Sequence, residues 1–192
     1  MDTEELTLDL VKETDPILST PVRAWSDSLG IDKKTLVKEM LSYMIIKGGI
    51  GLAAPQIGLD LAVFVMGTAE DSLALFNPRI VSVGKDNVVV QEGCLSFPGL
   101  IYQTPRAMRV VAKGFNMYGE PILIEGSELM ARALQHETDH LDGILFIDKL
   151  SKEDRKLAMK KIRESDWFNL RTDSGSNPII KTSPHDTLGK GF

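Results

Sequence analysis

The sequence predicts an α+β fold, with mostly antiparallel sheets packed around a central helix that carries His136-Glu137-Thr138-Asp139-His140. Three observations predict it. An amphipathic helical pattern occupies residues 32–47, short β-rich segments fill the middle of the chain, and two further helical patterns follow residue 127. A length of 192 residues suits about one domain. With 43% hydrophobic and 26% charged residues, the composition is that of a globular chain rather than a disordered one.

Each element has a local reason. Leu36, Val37, Met40, Leu41, Met44 and Ile45 recur at spacings of three and four, and Gly48-Gly49 supplies a stop. Leu61–Met66, Leu73–Phe76, Ile80–Val83, Val88–Gln91, Met108–Ala112 and Ile122–Ile124 are short, apolar and rich in β-branched residues. Gly, Pro, Asn and Asp separate them, so they read as strands. Asn116–Gly119 reads as the turn of a hairpin. Ser127 is placed to N-cap a helix running to about Leu141, with Gly143 just beyond its end. Ser151–Ser165 is a second, polar helix with Glu153 and Asp154 in its first turn. Residues 1–165 are therefore expected to form a single domain that includes this C-terminal helix. Residues 166–192 are expected to be a polar tail, mobile or held only by a neighbour.

Charge and composition exclude several classes. The formal charge is −5, and residues 1–20 already supply it through six acids and one base. The remaining residues balance at 21 of each sign, which argues against a specific DNA binder. The longest apolar runs are about six residues, against the roughly 20 that a membrane span needs. The start, Met1-Asp2-Thr3-Glu4-Glu5, lacks the basic and apolar regions of a secretory signal. Cys94 is the single cysteine, so no internal disulfide can form, and the expected location is cytoplasmic.

Two of the three histidines lie four residues apart, in His136-Glu137-Thr138-Asp139-His140. On a helix they share one face, about 6 Å apart along the axis. That spacing suits two imidazoles converging on one ion, with Glu137 beside it to handle protons. The alternative is a helix that happens to carry two histidines. The preceding Leu129–Gln135 segment is partly apolar, however, and two buried imidazoles with a carboxylate between them need a reason. A catalytic site of this kind has three protein ligands and an open position. Two candidates exist for the third: Glu164, 24 residues past His140, and Cys94, in Glu92-Gly93-Cys94-Leu95-Ser96. A further segment, Gly48-Gly49-Ile50-Gly51-Leu52-Ala53-Ala54-Pro55-Gln56, lacks the Lys and Ser/Thr of a phosphate loop. On spacing alone it reads as a helix C-cap and a close-packed turn.

Together, Gly49–Gln56, Glu92–Ser96 and His136–His140 resemble, in order and without departure, the three signatures of the peptide deformylase family. The resemblance runs from about Asp15 to Asp148. It implies a metal-dependent hydrolase that removes the N-formyl group from the formyl-methionine of newly made polypeptides. It implies Cys94, His136 and His140 as metal ligands and Glu137 as general base and acid. The Gln56 amide and the Leu95 backbone N–H would form the oxyanion site. The backbones of Ile50, Gly51 and Gly93 would pair with the substrate as an added strand. The resemblance further implies one divalent ion, iron(II) natively, with zinc, nickel or cobalt as substitutes; the ligands alone suggest zinc.

Three finer expectations accompany it. Ile50, Val90, Leu129 and Ala133 are candidate walls of an apolar methionine pocket. Glu92 and Arg106 are candidates for a buried pair bracing the Cys94 loop, with Asp139 behind the ligands. Helix 151–165 carries six bases against three acids, which offers a ribosome contact.

Overall fold

A computed structural model describes residues 8–165. The tail expected at 166–192 lies outside the described residues. Helix α1 spans Lys33–Ile46, α2 Glu128–Leu141 and α3 Lys152–Glu164. The strands are β1 Gly51–Ala53, β2 Val63–Gly67, β3 Ser72–Val83, β4 Asn87–Cys94, β5 Phe97–Ala107, β6 Arg109–Phe115 and β7 Pro121–Ser127. Five of them form one antiparallel sheet in the order β1-β2-β3-β6-β7, and β4-β5 form a separate hairpin. Among the described residues, no helix is long and apolar enough to cross a membrane.

The expected α+β architecture is present, and burial explains its layers. Strand β2 is apolar on both faces because both are covered. Val63 and Val65 pack with Leu36, Met40 and Met44 of α1. Phe64 and Met66 pack with Ala131, Leu134 and Leu141 of α2. A third cluster lies beneath the β4-β5 hairpin, where Phe97 and Leu100 meet Phe146, Ala158 and Ile162. Helix α2 thus runs between the five-stranded sheet and the hairpin. A fully buried Leu or Phe side chain is stabilised by about 1.5–3 kcal/mol, so these clusters fix where α2 lies.

The structure differs from the sequence expectation in four places. The segments Leu73–Phe76 and Ile80–Val83 are one strand, β3, because Asn77 takes φ 49° and carries the ladder through an irregularity. Strand β5, punctuated by Pro98, Gly99 and Pro105, was not expected; its place in a two-stranded sheet leaves an edge where proline is tolerated. Ile45 is 41% exposed rather than on the buried face of α1. Ser127 stands at the N-cap of α2, but its side chain makes no capping bond, and Glu128 enters the helix at φ 51°.

Candidate metal centre

Two helix endings and one strand ending build the site. At the end of α2, Gly143 N–H donates to His140 C=O at 3.2 Å, and Ile144 N–H to Asp139 C=O at 2.8 Å. Gly143 has φ 70°, so this is the glycine-dependent pair of hydrogen bonds that stops a helix, and it fixes the turn bearing His140. The same pattern ends α1, where Gly48 N–H meets Ile45 C=O and Gly49 N–H meets Met44 C=O, each at 2.9 Å. The C-cap reading of these glycines therefore holds. From there the chain turns into β1 and presses Gly51 against Glu137; a Cβ on Gly51 would stand 2.1 Å from Glu137 Oε1. Cys94 closes β4, and Leu95-Ser96 turn the chain into β5.

These endings bring Cys94, His136 and His140 together, with one donor atom from each inside 4.8 Å of the others. Cys94 Sγ is 3.2 Å from His140 Nε2. The two imidazole rings stand edge to face, with centroids 4.9 Å apart. His136 Nδ1 is bonded to Glu92 at 2.6 Å, which leaves Nε2 to face a metal, the usual role of a carboxylate behind a ligating histidine. One sulfur and two imidazoles, largely buried, fit a borderline-soft divalent ion with three protein ligands and a fourth position open. Glu164, the rival third ligand, lies outside this cluster on α3, with its side chain 63% exposed.

The surrounding charges are paired. Arg106 holds Glu92 through Nε, at 2.8 Å, and through Nη2. Its Nη1 donates to Asp139, whose carboxylate also meets Lys149 Nζ at 3.2 Å. The expected Glu92–Arg106 brace and the place of Asp139 are thus observed. Burial alone would raise the Glu92 carboxyl, but Arg106 and His136 pull it down to about 2. Burial likewise opposes the Arg106 charge, and Glu92 and Asp139 raise it in return.

Glu137 is the opposite case. Burial dominates and pushes its carboxyl up to about 7, and Oε2 has no hydrogen-bond partner. A carboxyl poised near neutrality can take a proton and return it. His136 is lowered by burial, but its bonds to Cys94 and Glu92 outweigh this and the net shift is well upward. His140 is pushed well down by burial and by the charge of His136. A neutral imidazole is the form that ligates a metal.

Gln56 is buried beside the cluster. Its Oε1 accepts from Ala53 N–H at 2.8 Å, which fixes the amide so that Nε2 points at Ser96 Oγ, 3.1 Å away, and Cys94 Sγ, 3.4 Å away. Gln56, Gly93, Cys94, Leu95, His136 and Glu137 line one cavity of about 550 Å³. Of the expected methionine-pocket walls, Ile50 and Ala133 line this cavity. Val90 and Leu129 do not, and Leu129 is 51% exposed.

Sequence reasoning missed three neighbours. Ser96 anchors Gln56, Phe146 stacks on His136 with centroids 6.3 Å apart, and Arg132 lines the cavity one turn before His136. Ser96 lies in the Glu92–Ser96 signature without any role being read for it, and the Phe146 stack carries no signal in a sequence. Arg132 carries one, its i−4 spacing from a ligand.

The sequence model of the family described as polypeptide deformylase matches residues 7–156. A peptide deformylase of Acidothermus cellulolyticus is 49% identical over 180 residues, covering 93% of this chain and 94% of its own. The crystal structure of peptide deformylase from Thermus thermophilus superposes with a TM-score of 0.76 at 38% identity, over 82% of this chain and 94% of that one. A peptide deformylase from Legionella pneumophila gives a TM-score of 0.78 at 32% identity, over 86% and 98%. Likeness at this level extends well beyond the three signature segments to most of the chain, which belongs to the peptide deformylase family.

Proposed function

We propose that this peptide deformylase, a metal-dependent hydrolase that removes the N-formyl group from new polypeptides, works in the cavity between the Gly48–Gly51 loop, the end of β4 and α2. Cys94, His136 and His140 would hold the ion. The observation that carries this is their convergence inside 4.8 Å beside a buried, unpartnered Glu137 oxygen. When bound, a divalent ion here acidifies water and polarises the formyl carbonyl. Glu137 takes the proton of the attacking water and returns it to the leaving amine. Gln56 Nε2 and the Leu95 N–H donate to the formyl oxygen as negative charge grows on it.

The substrate backbone would lie along Ile50, Gly51 and Gly93 as an added strand. The Ile50 carbonyl already accepts from Gly67 N–H at 2.9 Å, so Ile50 would contribute its N–H. A sulfur ligand favours softer ions, which agrees with iron(II) natively and with nickel, cobalt or zinc as substitutes. Residues 1–165 would act as one catalytic domain in the cytoplasm. Helix α3 presents Lys152, Lys156 and Arg163 outward with Leu157 54% exposed, which suits contact with the ribosome.

The test is turnover of formyl-Met-Ala peptide by anaerobically purified, iron(II)-loaded protein, read as free amine. Turnover is expected; a metal-loaded protein that releases none overturns the reading. Metal analysis of two variants tests the ligands. Cys94→Ala is expected to lose the ion and Glu164→Ala to keep it, and the reverse result would make Glu164 the ligand.

A further inference from the structure

The charges behind the metal centre form a chain that ends at Lys149. Glu92, bonded to His136 Nδ1, meets Arg106; Arg106 meets Asp139; Asp139 meets Lys149. Arg106 Nη1 and Lys149 Nζ approach the same Asp139 oxygen, Oδ2. Within this set two carboxylates face two cations. Without Lys149 it would hold an uncompensated negative charge around the buried Glu92 and Arg106.

Lys149 reaches Asp139 from outside α2. It ends the single turn Phe146–Lys149, whose first residue stacks on His136. Asp148 holds that turn in place: it accepts from Leu145 N–H at 3.0 Å and from Arg155 of α3 at 3.1 Å. One turn of chain thus touches the site twice, at His136 through Phe146 and at Asp139 through Lys149. The lysine borders a second cavity of about 460 Å³, which shares no lining residue with the first among the described residues. Its side chain is 31% exposed, so solvent is within reach, yet its ammonium lies at Asp139. An ion pair with a partly exposed partner contributes little to stability. Stability alone does not account for its place.

We infer that Lys149 is a positioning residue for the metal centre. The inference rests on the metal ligands of the deformylase reading above. By answering part of the Asp139 charge, Lys149 leaves Arg106 free to direct Nε and Nη2 at Glu92, and Glu92 in turn fixes the His136 ring through Nδ1. With Lys149 gone, Asp139 draws the guanidinium toward itself, and the hold on Glu92 and on His136 slackens.

The experiment loads wild type, Lys149→Met, Lys149→Gln and Lys149→Arg with cobalt(II) and follows the loss of thiolate–cobalt absorption after a chelator is added. The kcat and KM for formyl-Met-Ala are measured on the same samples. Lys149→Met is expected to release cobalt about tenfold faster, the low end of the effect of removing a group behind a ligand. Its kcat is expected to fall with KM unchanged, because Lys149 does not border the substrate cavity. Lys149→Arg, which restores the cation, is expected to recover most of both. Asp139→Asn removes the charge that Lys149 answers, so adding Lys149→Met to it should speed release no further. Lys149→Gln carries the test if the methionine variant does not fold. A merely structural lysine would shift the unfolding midpoint and leave cobalt release from the folded protein untouched. Unchanged release, or faster release that Lys149→Arg does not recover, overturns the inference. Wild type that holds cobalt and leaves formyl-Met-Ala uncleaved overturns the deformylase reading, while the release rates still decide the role of Lys149. Wild type that takes up no cobalt overturns both.

Discussion

Glu137→Gln should make the metal-free protein more stable while sharply lowering turnover of the metal-loaded one. Glutamine keeps the shape of the side chain and removes only the charge that burial penalises. The Glu137 carboxyl sits at about 7 in the folded protein against 4.5 for an ordinary glutamate. The sign follows from proton binding. Below pH 4.5 the group is neutral in folded and unfolded chains and contributes nothing. Between pH 4.5 and 7 the unfolded chain has released the proton and the folded chain keeps it, so wild-type stability falls as pH rises. Above pH 7 both are ionised and the loss is complete. A gap of about 2.5 pH units at about 1.4 kcal/mol each gives about 3 kcal/mol. Urea unfolding at pH 4, 6 and 8 reads it. With a slope of about 2 kcal/mol/M, the variant's midpoint should exceed wild type by about 1.5 M at pH 8 and coincide with it at pH 4. Metal-free protein is required because a cation would attract the carboxylate and mask the effect. A gap that is absent at pH 8, or that is the same at pH 4 and pH 8, refutes burial as the cause. Turnover of the metal-loaded variant should fall by about 10²–10⁴.

Three other perturbations have definite expected outcomes. Arg106→Leu leaves the buried Glu92 and the half-buried Asp139 without their shared partner, and chemical denaturation should show a loss of about 3–5 kcal/mol; a change under 1 kcal/mol would mean that the network relaxes to find water. Gly51→Ala drives a methyl into the Glu137 carboxylate, so kcat/KM should drop about 100-fold with an unchanged circular dichroism spectrum; near-normal turnover would show that Glu137 can move aside. Glu128→Gly relieves the left-handed backbone at φ 51° where α2 begins, and calorimetry should show stability raised by about 0.5–1 kcal/mol; a lower melting temperature would show that the carboxylate at this helix start outweighs the strain.

The helices and the ligand pair were legible because their signals are local. Periodicity, glycine stops and the four-residue histidine spacing all act within one or two turns, and both helix endings match them bond for bond. Strand β5 was not legible, since Pro98, Gly99 and Pro105 read as loop and only the hairpin partner makes them a strand. Spacing left both Cys94 and Glu164 open as candidates for the third ligand. The choice depends on where β4 ends relative to α2, a tertiary fact, and only the neighbouring signatures anticipated it. Ser96 behind Gln56 and Lys149 beside Asp139 belong to the same class: each meets its partner through the fold rather than along the chain.

Cys94 packs with the apolar cluster beneath the hairpin, whereas the helix bearing the histidines is seated on the sheet cluster. An ion held by all three is thus a rivet through the seam between hairpin and helix. Its departure would be felt at the Gly93–Ile101 end of the β-ribbon, beside Cys94, as faster amide exchange there, while the Asn87–Ala107 end stays tied to α2 through Gln135.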